Sequence, residues 1–355
     1  MPSTTLASLP YELIELILSF ATANTRLCTS PSPSAFTARL TWLRQTALTS
    51  RLFRYPSQSV LWSSLRVHSP AVAKRLLASP ALGAFGSEEL DIVGVHGGIE
   101  GLSGSTAGRV LGKVRGVRWL RLADFGRLSA RVLCGEGMSG LKTLLLMTTF
   151  PDKPALLSTL HLPFHLLTLS LFNRSYPPAF LHTLFFSSSH TLTSLTLLTS
   201  ASSPAYNALI DALPLVAKNL RHLSLQHRPS QRFVEEVVPL FTSLQHLEAH
   251  SAVDLSVIFS ALPAPSPSSP PTLTHFTLEL DYNLLDISTL LSTLLSASPT
   301  TSVLGKLRKL TIPRAPSTVE FREFGGARLL ETCAERNIEV EVGRVVEWRR
   351  ASLFD

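Results

Sequence analysis

One phrase recurs along the chain: an apolar residue, two variable ones, an apolar residue, one variable, an apolar residue. It reads VRWLRL from Val117, LKTLLL from Leu141, LLTLSL from Leu166 and LTSLTL from Leu192. It continues as LRHLSL from Leu220, LQHLEA from Leu244, LTHFTL from Leu273 and LRKLTI from Leu307, with starts 24 to 34 residues apart. Three weaker members extend the series: SSLRV ending at Val67, EELDI ending at Ile92, and NIEVEV from Asn337 to Val342. The alternating apolar pair that closes each phrase predicts a short strand with one buried face. Segments of helical character are predicted between phrases, over residues 205–218, 231–241, 254–261, 284–297 and 319–336. A strand, a return helix and two turns fit a period of roughly 20 to 29 residues. One such coil cannot bury its apolar side alone, so it must stack on its neighbours.

This pattern resembles the leucine-rich-repeat family over about residues 60 to 342. The resemblance implies an α/β solenoid with a parallel sheet on its concave side and helices on its convex side. No phrase carries the Asn or Cys ladder position consistently, and coil lengths vary, as in leucine-rich repeats attached to F-box domains. The proline-rich insert PAPSPSSPP, residues 263–271, predicts a loop, because neither a helix nor a central strand tolerates so many prolines. The Gly-rich stretch 94–116 is expected to be the other irregular region.

Ahead of the repeats the pattern changes. Leu9-Pro10 opens a predicted helix, since proline fits a first turn whose N–H has no partner, and Glu12 suits the helix dipole. Apolar residues then fall at Leu13, Ile14, Leu16, Ile17, Leu18, Phe20 and Ala21. That stripe is wider than one core-facing side requires; Leu13–Ile17–Phe20 and Ile14–Leu18–Ala21 are both helix faces. A Ser/Thr/Pro loop over 24–34 and a second helix over 36–53 are expected next. The phrases LPYELIELIL (residues 9–18), TALTSRLFR (46–54) and LWSSLRV (61–67) together resemble an F-box. The resemblance implies a small all-α domain over 1–65, a repeat domain over 66–345 and a tail over 346–355. It also implies docking on a Skp-type adaptor, and through it a cullin, by Leu9, Pro10, Leu13, Ile14 and Ile17. Burial of helix anchors in a partner's groove would explain the wide stripe. The alternative is a subdomain that only caps the first coil, as solenoid ends require.

Composition narrows the remaining choices. Charged residues make up 16% of the 355 and hydrophobic ones 45%, which is the balance of a folded chain, not a disordered one. No uninterrupted apolar window of about 18 residues occurs, so no membrane span is expected. MPSTTLASLPYELIEL lacks a basic region before its apolar stretch and reads unlike a signal peptide. The cysteines, Cys28, Cys134 and Cys333, are too scattered for a disulfide framework or a zinc site, and a cytoplasmic or nuclear setting is expected. The net charge of +7 is spread along the chain, without the basic cluster that nucleic acid would call for.

Catalytic motifs fall away on context. Residues 135–140 fit GxGxxG but precede a strand instead of following one. Residues 101–108 lack the Gly-Lys-Ser/Thr of a P-loop, and residues 104–108 have Thr where a nucleophile elbow needs Ser. No cofactor and no metal site is expected. Period-two alternation aims the residues between the strand leucines outward. One outward row is Trp119, Thr143, Thr168, Ser194, His222, His246, His275 and Lys309; its neighbour includes Arg121 and Glu248. Within a largely hydroxylated surface, Trp119, Arg121, His222, His246, Glu248 and His275 are the candidate contacts for a target protein, since aromatic residues and Arg are enriched among binding hot spots. The expectation is therefore a non-catalytic substrate receptor of an SCF-type ubiquitin ligase, or alternatively a repeat scaffold with no ubiquitin role.

Overall fold

A computed structural model describes residues 9–29, 32–94, 101–125, 128–172, 176–198, 204–250, 253–263, 273–279, 285–296, 303–313 and 325–343. Most of the proline-rich insert and all of the 346–355 tail lie outside these residues. The chain forms two compact units, Met1–Leu166 and Leu167–Asp355.

The first unit opens with helices. α1 (Tyr11–Ala21) follows Pro10, and Thr22 closes it by donating from Oγ1 to the Leu18 carbonyl at 2.9 Å. Short 3-10 turns, Ala23–Thr25 and Leu27–Thr29, occupy the expected loop. The single helix expected over 36–53 is instead two, α2 (Pro33–Thr49) and α3 (Arg51–Trp62). The break is at Ser50, whose extended backbone frees its Oγ to accept from the Leu52 N–H as an N-cap. Ile14 and Leu18, four residues apart on one face of α1, pack with Leu43 of α2 and Val60 of α3. Leu9, Leu52, Phe53 and Leu61 lie around that cluster.

Four parallel strands follow in chain order: β1 (Ser64–Val67), β2 (Glu89–Val93), β3 (Trp119–Ala123) and β4 (Thr143–Met147). Between them run α4 (Pro70–Ala78), α5 (Ala81–Ala84) and α6 (Gly104–Lys113); α7 (Pro154–Leu157) follows β4. α6 overturns the irregular reading of the Gly-rich stretch over residues 104–113; residues 101–103 and 114–116 are irregular as expected, and 95–100 lie outside the described residues. Ser103 caps it through Thr106 N–H, and Ala107, Val110 and Leu111 supply a buried stripe at helical spacing that outweighs the low propensity of Gly108 and Gly112. The GxGxxG sequence is a 3-10 turn, Glu136–Met138, entering β4. There the Gly137 backbone passes so close to the Val114 carbonyl oxygen that no Cβ would fit.

The second unit repeats the scheme with seven strands in chain order: β5 (Thr168–Phe172), β6 (Ser194–Leu198), β7 (His222–Leu225), β8 (His246–His250), β9 (His275–Glu279), β10 (Lys309–Ile312) and β11 (Glu339–Val342). Their pairing is parallel throughout. The intervening helices are α8 (Pro178–Ser187), α9 (Pro204–Ala212), α10 (Gln231–Glu236), α11 (Leu255–Ala261), α12 (Leu285–Ser296) and α13 (Gly326–Glu335). Two predicted helices end early. Pro214 and Pro239 cannot donate the next helical bond, so α9 and α10 give way to 3-10 turns at Leu213–Leu215 and Val238–Leu240.

In every strong phrase the strand begins two residues after the first apolar position. That first residue, from Val117 through Leu307, is buried just ahead of the strand. The chain is thus α/β, with parallel strands in chain order and helical returns. Parallel strands require such crossovers, and each crossover helix covers one face of its strand.

Candidate protein-docking surfaces

The α1 helix has two apolar sides with different fates. Ile14 is 1% exposed and spent on the chain's own core. Leu13 is 45% exposed, Ile17 50% and Phe20 73%, and Tyr11 and Leu16 are about half exposed beside them. Of the five residues expected to meet an adaptor, Leu13, Ile17 and Pro10 are accessible and Leu9 is half-buried. Ile14 differs from the other four: it is buried in the chain's own core, because positions 14 and 18 form the inward face of α1. Phe20, Leu16 and Tyr11 join the outward face although they were not among the five. The Leu13–Ile17–Phe20 spacing was the signal for Phe20.

The loop after α1 is clamped to the sheet. The Glu89 carboxylate, 2% exposed, accepts from Arg26 Nε at 2.7 Å, Leu27 N–H at 2.8 Å and Ser64 Oγ at 2.8 Å. Arg26 also reaches Glu88 at 2.7 Å. Burial pushes the Glu89 carboxyl up, but its bonds from Cys28, Ser64 and Leu27 and the charge of Arg26 together hold it below the ordinary value. Burial, with that same carboxylate, pushes the Cys28 thiol up to about 11, so it is a neutral donor and not a reactive thiolate. Sequence reasoning missed this clamp, since nothing local in Arg26 or Glu89 announces a partner more than sixty residues away.

Trp119 and Arg121, both half-buried, stand on β3. Across the register Arg66, Asp91 and Arg121 are neighbours. Buried Asp91 meets Arg66 Nε at 3.1 Å and Arg121 Nη1 at 3.6 Å. Arg121 is therefore partly engaged within the sheet, while Trp119 has Glu89 and Thr143 as its register neighbours.

In the second unit the register stacks His222, His246 and His275. Ring centroids are 5.5 Å apart for the first pair and 5.9 Å for the second. His246 is fixed by a 2.8 Å hydrogen bond between Nε2 and Thr277 Oγ1. Burial, reinforced by the flanking imidazoles, lowers His246 to about 4. His222 is lowered in the same way, with Arg221 contributing. Near neutral pH His222 and His246 are thus uncharged. Glu248, two residues beyond His246, has its carboxyl raised by burial and by the charge of Glu279, against a bond from Ser224. Among the described residues no group of three or more His, Cys, Asp or Glu side chains is placed to hold a metal ion. Among the same residues no helix is long and apolar enough to cross a membrane.

No protein-family model matches the chain, and no curated protein matches it. The geometry defines a class all the same: a repeating α/β chain whose distinctive features are surfaces, an apolar helix face in the first unit and a histidine strip in the second.

Proposed function

We infer that the chain is a substrate-receptor subunit of an SCF-type ubiquitin ligase. In this reading its N-terminal helices are an F-box that binds a Skp-type adaptor, and its coils are leucine-rich repeats that hold a target protein. The observation that carries the reading is the split of α1: two of its apolar residues, Ile14 and Leu18, complete the core, and four others, Leu13, Leu16, Ile17 and Phe20, face outward. A helix that served only as a cap would have no use for that second face. Helix anchors of this kind bind by filling a partner's apolar groove. The receptor catalyses nothing; it raises the effective concentration of its target beside the ligase. Within the coils, Trp119 and the His222–His246–His275 strip are the contacts assigned to the target.

The test is a pull-down with purified Skp-type adaptor. Wild type should bind, and Leu13→Asp/Ile17→Asp should lose binding with its fold and melting temperature intact. Buried hot-spot anchors are worth about 2 kcal/mol or more each, so the double variant should bind at least a hundredfold more weakly. An Ile14 variant is a poor probe, because it would unsettle the core. Failure of wild type to bind, or equal binding by the double variant, would refute the reading. A second reading, a repeat scaffold with a capping segment, draws support from the Glu89 clamp, which covers the first coils. Under that reading adaptor binding is absent and removal of residues 1–60 causes aggregation alone.

A further inference from the structure

We propose that the first unit carries a binding site for a long-chain aliphatic carboxylate, in the cavity between α2, α3, β1 and α4. The cavity measures about 670 Å³, within the range of small-molecule sites. Its walls are apolar: Phe36 and Leu40 from α2, Leu61 and Trp62 at the end of α3, Val72 and Leu76 from α4. Among the described residues, the charged ones that line it are all basic, Arg44, Arg66 and Arg75, with His68 beside them and no Asp or Glu. Arg66 is already engaged, with Nε on Asp91 at 3.1 Å and its guanidinium 4.9 Å from the centre of the Phe36 ring. Arg44 and Arg75 are exposed at the cavity and have no acidic partner among the described residues.

The two halves of the lining call for two halves of a ligand. An apolar chain removes the leucine and Trp62 surfaces from water, and an anionic head gives the guanidinium groups of Arg44 and Arg75 the counter-charge that the described residues do not supply. A neutral hydrocarbon would leave the arginines unanswered, and a compact anion would leave the wall wet. Carboxylate suits the rim because a guanidinium binds it through two parallel hydrogen bonds. A single aliphatic chain suits a wall built mainly of Leu and Val. The site does not depend on the ubiquitin-ligase reading; it rests on the lining alone.

The probe is 12-bromododecanoate, whose bromine quenches tryptophan fluorescence on contact, titrated into the full chain below its micelle concentration. Trp62 lies in the wall, so quenching should saturate and should disappear in Trp62→Phe. The uncharged 12-bromododecanol should bind at least tenfold more weakly. Arg44→Glu/Arg75→Glu alters two exposed side chains and so spares the core; it should weaken the carboxylate at least tenfold and leave the alcohol unchanged. Val72→Phe, which narrows the cavity, should weaken both. The proposal is overturned if quenching does not saturate, if it persists without Trp62, if alcohol and carboxylate bind alike, or if charge reversal leaves carboxylate binding unchanged while circular dichroism confirms a wild-type fold.

Discussion

Replacing Glu89 by Gln tests whether the clamp holds the loop after α1 onto the sheet. The carboxylate accepts from Arg26, Leu27 and Ser64, each at 2.7 to 2.8 Å, in a site 2% exposed. The amide keeps the shape but retains one acceptor oxygen. If that oxygen stays with Leu27 and Ser64, the new NH₂ group faces Arg26 Nε, donor against donor. A charge-assisted bond is worth about 1.5–3 kcal/mol, and an orphaned buried donor costs about 1–3. The Arg26 side chain is 31% exposed and keeps Glu88, so water and that carboxylate relieve part of the loss. The net cost should be about 2–3 kcal/mol. The Leu27 amide reports it directly, because its N–H is one of the donors. Each 1.4 kcal/mol is tenfold, so hydrogen exchange at Leu27 should accelerate roughly 30- to 150-fold. Arg26→Ala removes one bond of the set and should accelerate it less. Acceleration below about threefold would refute the hub, and an equal effect of Arg26→Ala would reduce it to a lone ion pair. Glu89 also fixes the pH dependence. Its folded value lies below the ordinary 4.5, so its stabilisation is fully present above about pH 4.5 and is lost as pH falls through the folded value.

Three more outcomes follow from the same geometry. Ile14→Ala should destabilise by about 2–4 kcal/mol in urea melts, whereas Ile17→Ala, half exposed, should stay within about 0.5; similar values would mean that α1 is rotated from the orientation described. Gly137→Ala should cost about 1–3 kcal/mol, because its methyl meets the Val114 carbonyl, while Gly112→Ala, with open space around it in α6, should stabilise by about 0.5–1; thermal melts of the pair decide this. His246 should titrate by NMR near 4; its folded value lies below the ordinary 6.5, so the melting temperature should fall as pH drops from 6.5 to 4, and His246→Asn should flatten that slope.

The strands were legible because leucine at fixed spacing is a local signal with a single packing solution. Each strong phrase places a buried residue, then a strand, and the stacked histidines follow from that register. Helix ends were less legible, since they turn on single residues: Ser50 splits one expected helix, and Pro214 and Pro239 shorten two others. The Gly-rich stretch misled because composition outweighed the Ala107–Val110–Leu111 stripe. On α1 the wide stripe announced two faces but not which faced inward, a choice made by Leu43 and Val60. The cavity at Trp62 and the Glu89 clamp join residues distant in sequence, and no local pattern encodes them.

The clamp also bears on how such a chain can be recombined. Its acceptor sits on β2, not on β1, so the helical segment and the second strand form one inheritable piece. A chimera joined at residue 65 would part Arg26 and Leu27 from Glu89 even though every helix arrived intact. A join placed after Val93 would carry the lock and its key together. Exchange of N-terminal segments between repeat proteins of this design should therefore succeed or fail by where the seam falls relative to that single carboxylate.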